Sequence, residues 1–393
     1  MRFTKNAKKI DVVMGTRPEA IKMAPVVREL RKRGKFSVRV ISTGQHTDML
    51  RQALSFFGLS PDADLAIMKR VQSLDYITAS VITGVGELFD SGRPDAVLVH
   101  GDTTTTFAAS LAAFHRKIPI GHVEAGLRSF DMSLPFPEEM NRTLTDRIAR
   151  WLFAPTEHAA SNLRRERPGE KSLYVTGNTV IDALHSALDI VGDTASPALA
   201  GLEGSPFILM TAHRRESWGE AMERICLALS EILRRHGCMR ALVPMHRNPA
   251  VRDTMKKILG DNDRVILRDP LDYPDFVRAL KHCKIILSDS GGVQEEASAL
   301  GKPVIVLRDV TERPEAVESG TAVVAGTSTE NIVSIADRLL SDEGEYRRAE
   351  EKKNKNPFGD GAASARIADI LERQNHGAPP RTPQGDLVPL TPY

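Results

Sequence analysis

Cysteine is scarce: only Cys226, Cys238 and Cys283 occur in 393 residues, and no pair shows CxxC spacing. An odd, sparse count argues against a disulfide framework and predicts reduced thiols, with Cys226 and Cys283 in apolar helical patterns as core residues. No apolar run approaches the ~20 residues of a membrane span, and no secretory leader precedes the first strand. A soluble, cytoplasmic chain is expected. Charge of one sign is also missing. Lysine and arginine total 53 against 51 acidic residues, a net +2, so there is no electrostatic footprint for nucleic acid or a membrane surface. The short basic run Arg2, Lys5, Lys8, Lys9 reads as a frayed terminus. Several signatures are absent as well: GxGxxG, GxxxxGK(S/T), HExxH and GxSxG. A nicotinamide dehydrogenase, a P-loop enzyme, a zincin and a serine-triad hydrolase are each disfavoured.

What is present is ordinary globular composition, 41% hydrophobic and 26% charged, in a chain longer than one core usually supports. Short apolar strands alternate with amphipathic helices: IDVVMGT, FSVRVIST, AVLVHGD, IPIGHVEAG, LFAPT and SLYVTGN. The stretch GDTASPALAGLEGSP then interrupts the periodicity and reads as a linker. The alternation resumes with PFILMTAH, MRALVPMH, DRVILRD, KIILSDS and KPVIVLRD. Strands apolar on both faces and separated by helices imply parallel, doubly wound sheets. The expectation is an α/β protein of two Rossmann-like domains, residues 1–178 and 179–359. A last helix over 360–374 can pack on either, and residues 375–393 form a Pro- and Gly-rich disordered tail.

In open α/β sheets, ligands bind beyond the carboxyl ends of the strands, and here those ends are polar. They carry Arg17 and Glu19 with Lys22 on the next helix, then Gln45 and His46, His100 and Asp102, His122 and Glu124, and Glu138 and Glu139. The second half supplies His213 and Arg214, His246, Ser288 to Gly292, and Thr311 to Glu315. Each has a bland alternative: Ser290 as an N-cap, Glu138 pairing with Arg142 one turn on, Lys22 solvated. Surface decoration would not gather selectively at strand ends. His100 with Asp102, and His122 with Glu124, stand at alternate positions, pointing to one side of a strand, where they can ligate a metal. No third ligand stands at a recognisable spacing, and no metal is expected.

The stretch SDSGGVQEEA sets a glycine pair at a strand-to-helix junction, suited to phosphate, beside the carboxylates Glu295 and Glu296 in what reads as the first turn. A nucleoside diphosphate sugar wants both. Gly291 and Gly292 let backbone N–H groups approach a pyrophosphate without a Cβ in the way. Glu296 can accept hydrogen bonds from ribose hydroxyls, and Arg17, His213 and Arg313 supply charge-assisted donors.

With these residues assembled, the chain resembles the non-hydrolysing UDP-N-acetylglucosamine 2-epimerases, over roughly Ile10 to Ile370. The motifs are GTRPEAIKMAP, TGQH, HGDTTTTFAASLAAF, GHVEAGLRS, PFPEEMNR, TGNTVIDAL, TAHRRES, DSGGVQEEA, GKPVIVLRD, TERPEAV and NPFGDG. The resemblance implies a glycosyltransferase-B type fold, with two Rossmann-like domains facing across a substrate cleft and the last helix returning to the N-terminal domain. It implies interconversion of UDP-GlcNAc and UDP-ManNAc for cell-surface polysaccharide, without nicotinamide or metal cofactor, by a cytoplasmic homodimer. Carried onto this chain, it assigns Asp102, Glu124 and Glu138 as the catalytic carboxylates, with Lys22 and His213 as electrostatic partners. Glu124 or Asp102 serves as base and Glu138 as the opposite-face acid. Arg17, Arg142, Asn178, Ser290, Gly291, Gly292, Glu296 and Arg313 hold substrate.

Some members of that family carry a second, allosteric UDP-GlcNAc site. Its remnant here is Gln45, His46, Arg70, Arg214 and His246. Asp48 replaces an expected glutamine and Val71 stands where an arginine belongs, so weakened or absent activation is expected. A glycosyltransferase would not need three carboxylates about the donor ring. A hydrolysing epimerase is chemically nearer, and a silent nucleotide-sugar-binding regulator would not keep the acid and base groups.

Overall fold

The apolar runs pack as parallel strands in this computed structural model, which describes residues 7–44, 47–69, 72–194, 196–214, 217–351 and 356–373. The chain divides into two compact units. One takes the chain up to Ser186 together with the segment from Gly359 onward; the other is Ala187–Phe358. The expected tail lies outside the described residues.

In the first unit the strands are β1 (Lys8–Met14), β2 (Phe36–Ser42), β3 (Ala63–Asp64), β4 (Ala96–His100), β5 (Ile120–Val123), β6 (Trp151–Ala154) and β7 (Leu173–Val175). They form a seven-stranded sheet in the order β3-β2-β1-β4-β5-β6-β7. All pairings are parallel, with Val12 opposite Val40 on one side and Leu98 on the other. Val12, Val13 and Met14 are buried in succession, because helices cover both faces and neither face of β1 meets water. β1 and β4 are neighbours although their connections run in opposite directions, which makes their carboxyl ends a topological switch point.

The helix Ala363–Arg373 belongs to this first unit. Asp182 accepts the backbone N–H groups of Ala363 (3.2 Å) and Ser364 (2.7 Å) at its start. Arg33 reaches Asp369 (2.5 Å) and the carbonyl of Ala365 (2.9 Å). Ile367, Ile370 and Leu371 are buried, each adding about 1.5–3 kcal/mol of apolar transfer.

In the second unit the strands are β8 (Phe207–Thr211), β9 (Arg240–Pro244), β10 (Val265–Arg268), β11 (Ile285–Ser288), β12 (Val304–Val306) and β13 (Ala322–Val324). Their order is β10-β9-β8-β11-β12-β13, so β8 and β11 flank the switch point here. Cys226 and Cys283 are buried in this unit, and burial pushes both thiols up to about 12. The stretch expected as a linker is held by this unit's own elements. Ser196 Oγ donates to Asp275 (2.6 Å), and Leu202 is buried. Among the described residues no helix is long and apolar enough to cross a membrane.

Candidate active site

In the first unit the switch-point turns converge on Glu124. Its carboxylate accepts from Lys22 Nζ at 2.5 Å and from Asn178 Nδ2 at 2.8 Å, and His100 Nε2 lies 3.7 Å away. Lys22 reaches it from the helix Arg17–Lys32, which Pro18 opens and Thr16 caps. Half-buried Arg17 begins the same helix at the end of β1. The Asn178 amide is set by its own turn: Oδ1 accepts the Val180 N–H at 3.0 Å, which turns the NH2 toward Glu124. Glu124 sits at φ +67°, a conformation that costs a non-glycine residue about 1–3 kcal/mol and clusters at functional sites. Burial lowers His100 to about 3, so its imidazole is neutral at ordinary pH. Its Nε2 has no hydrogen-bond partner among the described residues.

Asp102 follows β4. Its carboxylate lies 3.2 Å from Arg142 Nη1, and its carbonyl accepts from Asn141 Nδ2 at 2.9 Å. Burial pushes this carboxyl above its ordinary value; Arg142 opposes the rise, and the charges of Glu124 and Glu138 add to it. About a third of the side chain still meets solvent. Glu138 opens the helix Glu138–Ile148 after two cis prolyl bonds, Leu134–Pro135 and Phe136–Pro137. Its buried Oε2 has no hydrogen-bond partner among the described residues. Three carboxyls are therefore close enough to feel one another, and two of them keep an oxygen or an exposed edge available for chemistry.

Several expectations change. Arg142 pairs with Glu139 and Asp102 instead of Glu138. The neighbouring Glu139 is used structurally, accepting the N–H groups of Ser129 (3.0 Å) and Phe130 (2.9 Å). Glu19 is also structural: it takes the N–H groups of Gly15 and Thr16 and the hydroxyls of Thr103 and Thr106, tying the end of β1 to the end of β4. The strand-alternation reading fails for His122 and Glu124. The chain leaves β5 at Glu124 in the left-handed region, and His122 turns to Asp146 (2.6 Å) and the Gly101 carbonyl (2.7 Å). Among the described residues no three His, Cys, Asp or Glu side chains are grouped to hold a metal.

In the second unit His213 follows β8 and is 46% exposed. Asp289, at the end of β11, takes the backbone N–H groups of His213 and Arg214 (2.9 Å each) and the Ser217 hydroxyl (3.0 Å) on one oxygen. Its other oxygen lies 3.3 Å from His213 Nδ1. Asp289 stood among the polar residues expected directly after a strand, but its role in holding the His213 turn was not read from the sequence. His246 stacks on His213 with ring centres 6.3 Å apart, and Arg214 lies 3.7 Å from Glu312. Gln45, His46 and Arg70 lie outside the described residues.

The glycine-rich turn opens the helix Gly291–Leu300. Ser290 occupies the N-cap but makes no side-chain cap bond; its own N–H goes to Ser288 Oγ. A Cβ on Gly292 would meet no atom within 4 Å, and one on Gly291 would come to 3.7 Å from the Arg313 guanidinium. The carboxylates lie one turn deeper than the first turn. Glu295 is buried against Arg313, which neutralises its charge before it can repel an anion at the helix end. Arg313 is thus shared between Glu295 and the approach to the helix, not held for phosphate alone. Glu296 is buried and accepts the Tyr273 hydroxyl at 3.2 Å.

A model of the UDP-N-acetylglucosamine 2-epimerase family matches residues 28–372. The chain is 49% identical over 375 residues to the UDP-N-acetylglucosamine 2-epimerase of Yersinia pestis, covering 94% of this chain and 99% of that protein. To the enzyme of that name from Bacillus subtilis it is 50% identical over 363 residues, 92% and 94% of the two chains. Among solved structures, the UDP-GlcNAc 2-epimerase of Neisseria meningitidis bound to UDP-GlcNAc superposes with a TM-score of 0.87 at 46% identity, covering 93% of this chain and all of that one. A glycotransferase of kitacinnamycin gives a TM-score of 0.61 at 13% identity, a likeness of fold alone.

Proposed function

Since the chain belongs to the UDP-N-acetylglucosamine 2-epimerase family, we propose that it interconverts UDP-GlcNAc and UDP-ManNAc by eliminating and re-adding UDP. The C2 hydrogen of the sugar has no adjacent carbonyl to acidify it. Breaking the bond from C1 to the diphosphate oxygen, with the electron pair leaving on UDP, makes that proton labile. A carboxylate, Glu124 or Asp102, takes the proton as the C1–C2 double bond of a 2-acetamidoglucal forms. Glu138 delivers a proton to C2 from the other face, and UDP oxygen returns to C1. The backbone N–H groups at Gly291 and Gly292, with Arg17, His213 and Arg313, hold the departed diphosphate. Lys22 and Asn178 orient Glu124, Arg142 orients Asp102, and Glu296 takes the ribose hydroxyls. No cofactor is needed, and the enzyme works as a cytoplasmic homodimer.

The observation that carries this reading is the gathering of carboxyls at these strand ends: Glu124 held by Lys22 and Asn178, Asp102 held by Arg142, and Glu138 with a buried oxygen that has no hydrogen-bond partner among the described residues. A fold built only to bind a nucleotide sugar has no use for such crowding. Incubation with UDP-GlcNAc in D2O, followed by proton NMR, is expected to yield UDP-ManNAc with deuterium at C2. Free ManNAc and UDP would mark a hydrolase, and no exchange at C2 would refute the proposal. Because Asp48 and Val71 replace two polar residues of the regulatory site, reverse epimerisation is expected to run without added UDP-GlcNAc. A strict requirement for it would contradict that part.

A further inference from the structure

His122 and Asp146 are both fully buried, yet the reaction above uses neither. The geometry points to His122 as a positioning residue that locks the turn carrying Asp102 to the turn carrying Glu124; this rests on the reading of those two carboxyls as catalytic. The ring bridges two oxygens. Nε2 donates to the Gly101 carbonyl at 2.7 Å, and Nδ1 lies 2.6 Å from Asp146 Oδ1. Gly101, at φ +67°, stands between His100 and Asp102. The second oxygen of Asp146 takes the N–H of Gly126 at 3.2 Å and pairs with Arg128 at 2.8 Å. Gly126, at φ +88°, lies two residues beyond Glu124. Arg128 is fixed in turn by Glu166 at 2.7 and 2.8 Å.

One chain of contacts therefore runs from the β4 turn through His122 and Asp146 to the β5 turn. Both turns leave their strands through left-handed residues. The Gly101 N–H still reaches the Val123 carbonyl (2.9 Å) and the Ala125 N–H the Phe153 carbonyl (3.1 Å), so the sheet holds one side of each turn and the His122 bridge holds the Gly101 carbonyl on the other. Without the bridge, only the backbone bonds at the strand ends would join the two turns, and the spacing of the two carboxyls about C2 would loosen. A misplacement of about 1 Å at a reacting group can cost about a hundredfold in rate. Gln in place of His can reach one of the two oxygens but cannot span both.

The test compares wild type, His122→Gln and Asp146→Asn for thermal unfolding, kcat, KM and UDP affinity. It adds one ratio in D2O: deuterium at C2 of recovered UDP-GlcNAc against deuterium in UDP-ManNAc. A positioning role predicts that His122→Gln folds, loses about a hundredfold in kcat, keeps its UDP affinity and shifts the deuterium ratio. The ratio moves because the intermediate is then protonated from the two faces in different proportion. A folded variant with wild-type kcat and ratio overturns the inference. So does a loss of kcat with an unchanged ratio, the mark of a smaller active fraction. If His122→Gln does not fold, Asp146→Asn decides by the same readouts; unfolding of both would make the network purely structural and overturn the inference too. Absence of deuterium from the wild-type product would refute the epimerase reading itself, separately from His122.

Discussion

Asp102, proposed above as a proton-transfer group, sits where its surroundings favour the protonated carboxyl. Its carboxyl lies above the usual range because burial disfavours the anion and the charges of Glu124 and Glu138 oppose it, with Arg142 only partly offsetting them. The folded state therefore binds a proton that the unfolded chain has already released, so stability falls as pH rises through that window. Asp102→Asn is expected to lower kcat by about 10²–10⁴-fold while raising the melting temperature at neutral pH; a lower melting temperature would show that the Arg142 contact outweighs the burial. With Asp102 as base, kcat/KM rises with pH through its raised pKa, and this acid limb lies above the ordinary carboxylate value of about 4 and moves in the variant. A limb unmoved by the substitution would assign the base to Glu124. At this scale the sequence was informative about place and poor about partnership. Asp102, Glu124 and Glu138 were legible as polar residues at strand and helix ends. That Glu139, not Glu138, takes Arg142 was not legible, because adjacent residues on a helix point about 100° apart and only packing decides which one faces the guanidinium.

Elements translate these choices into geometry. The turn after β5 must pass Glu124 at φ +67° and Gly126 at φ +88°, and a Cβ on Gly126 would lie 2.4 Å from the Ala159 carbonyl oxygen. Gly126→Ala is expected to destabilise the first unit by about 1–3 kcal/mol and to lower kcat with it, read by denaturant unfolding and steady-state rates. A variant of wild-type stability would mean that the turn relaxes without cost. Long apolar strands such as β1, β4 and β8 were legible from periodicity alone. The two-residue β3 was not, because Ala63–Asp64 has no apolar run and pairs only through Ile41 and Ser42 of β2. β13, Ala-Val-Val, is likewise too short to announce itself. The same-side placement expected of His122 and Glu124 failed because it carried strand alternation one residue past the end of β5.

At the scale of the whole molecule, near-neutral charge and two parallel sheets with the same winding order describe a scaffold with polar residues concentrated at strand ends. The two-sheet plan was legible because βα alternation is a periodic signal that survives without knowledge of contacts. The boundary was less so: the division falls between Ser186 and Ala187, inside the helix Thr179–Val191, and a helix shared by two units carries no break in periodicity. In the proposed reaction the bond from C1 to UDP breaks and re-forms in every turnover. This cleavage is tested most directly with UDP-GlcNAc carrying 18O in the oxygen between C1 and the β-phosphorus, followed by 31P NMR. The label is expected to scramble into the non-bridging β-phosphate positions as epimer forms, since the released diphosphate rotates before it returns. Epimerisation with the label retained wholly in the bridge would contradict it.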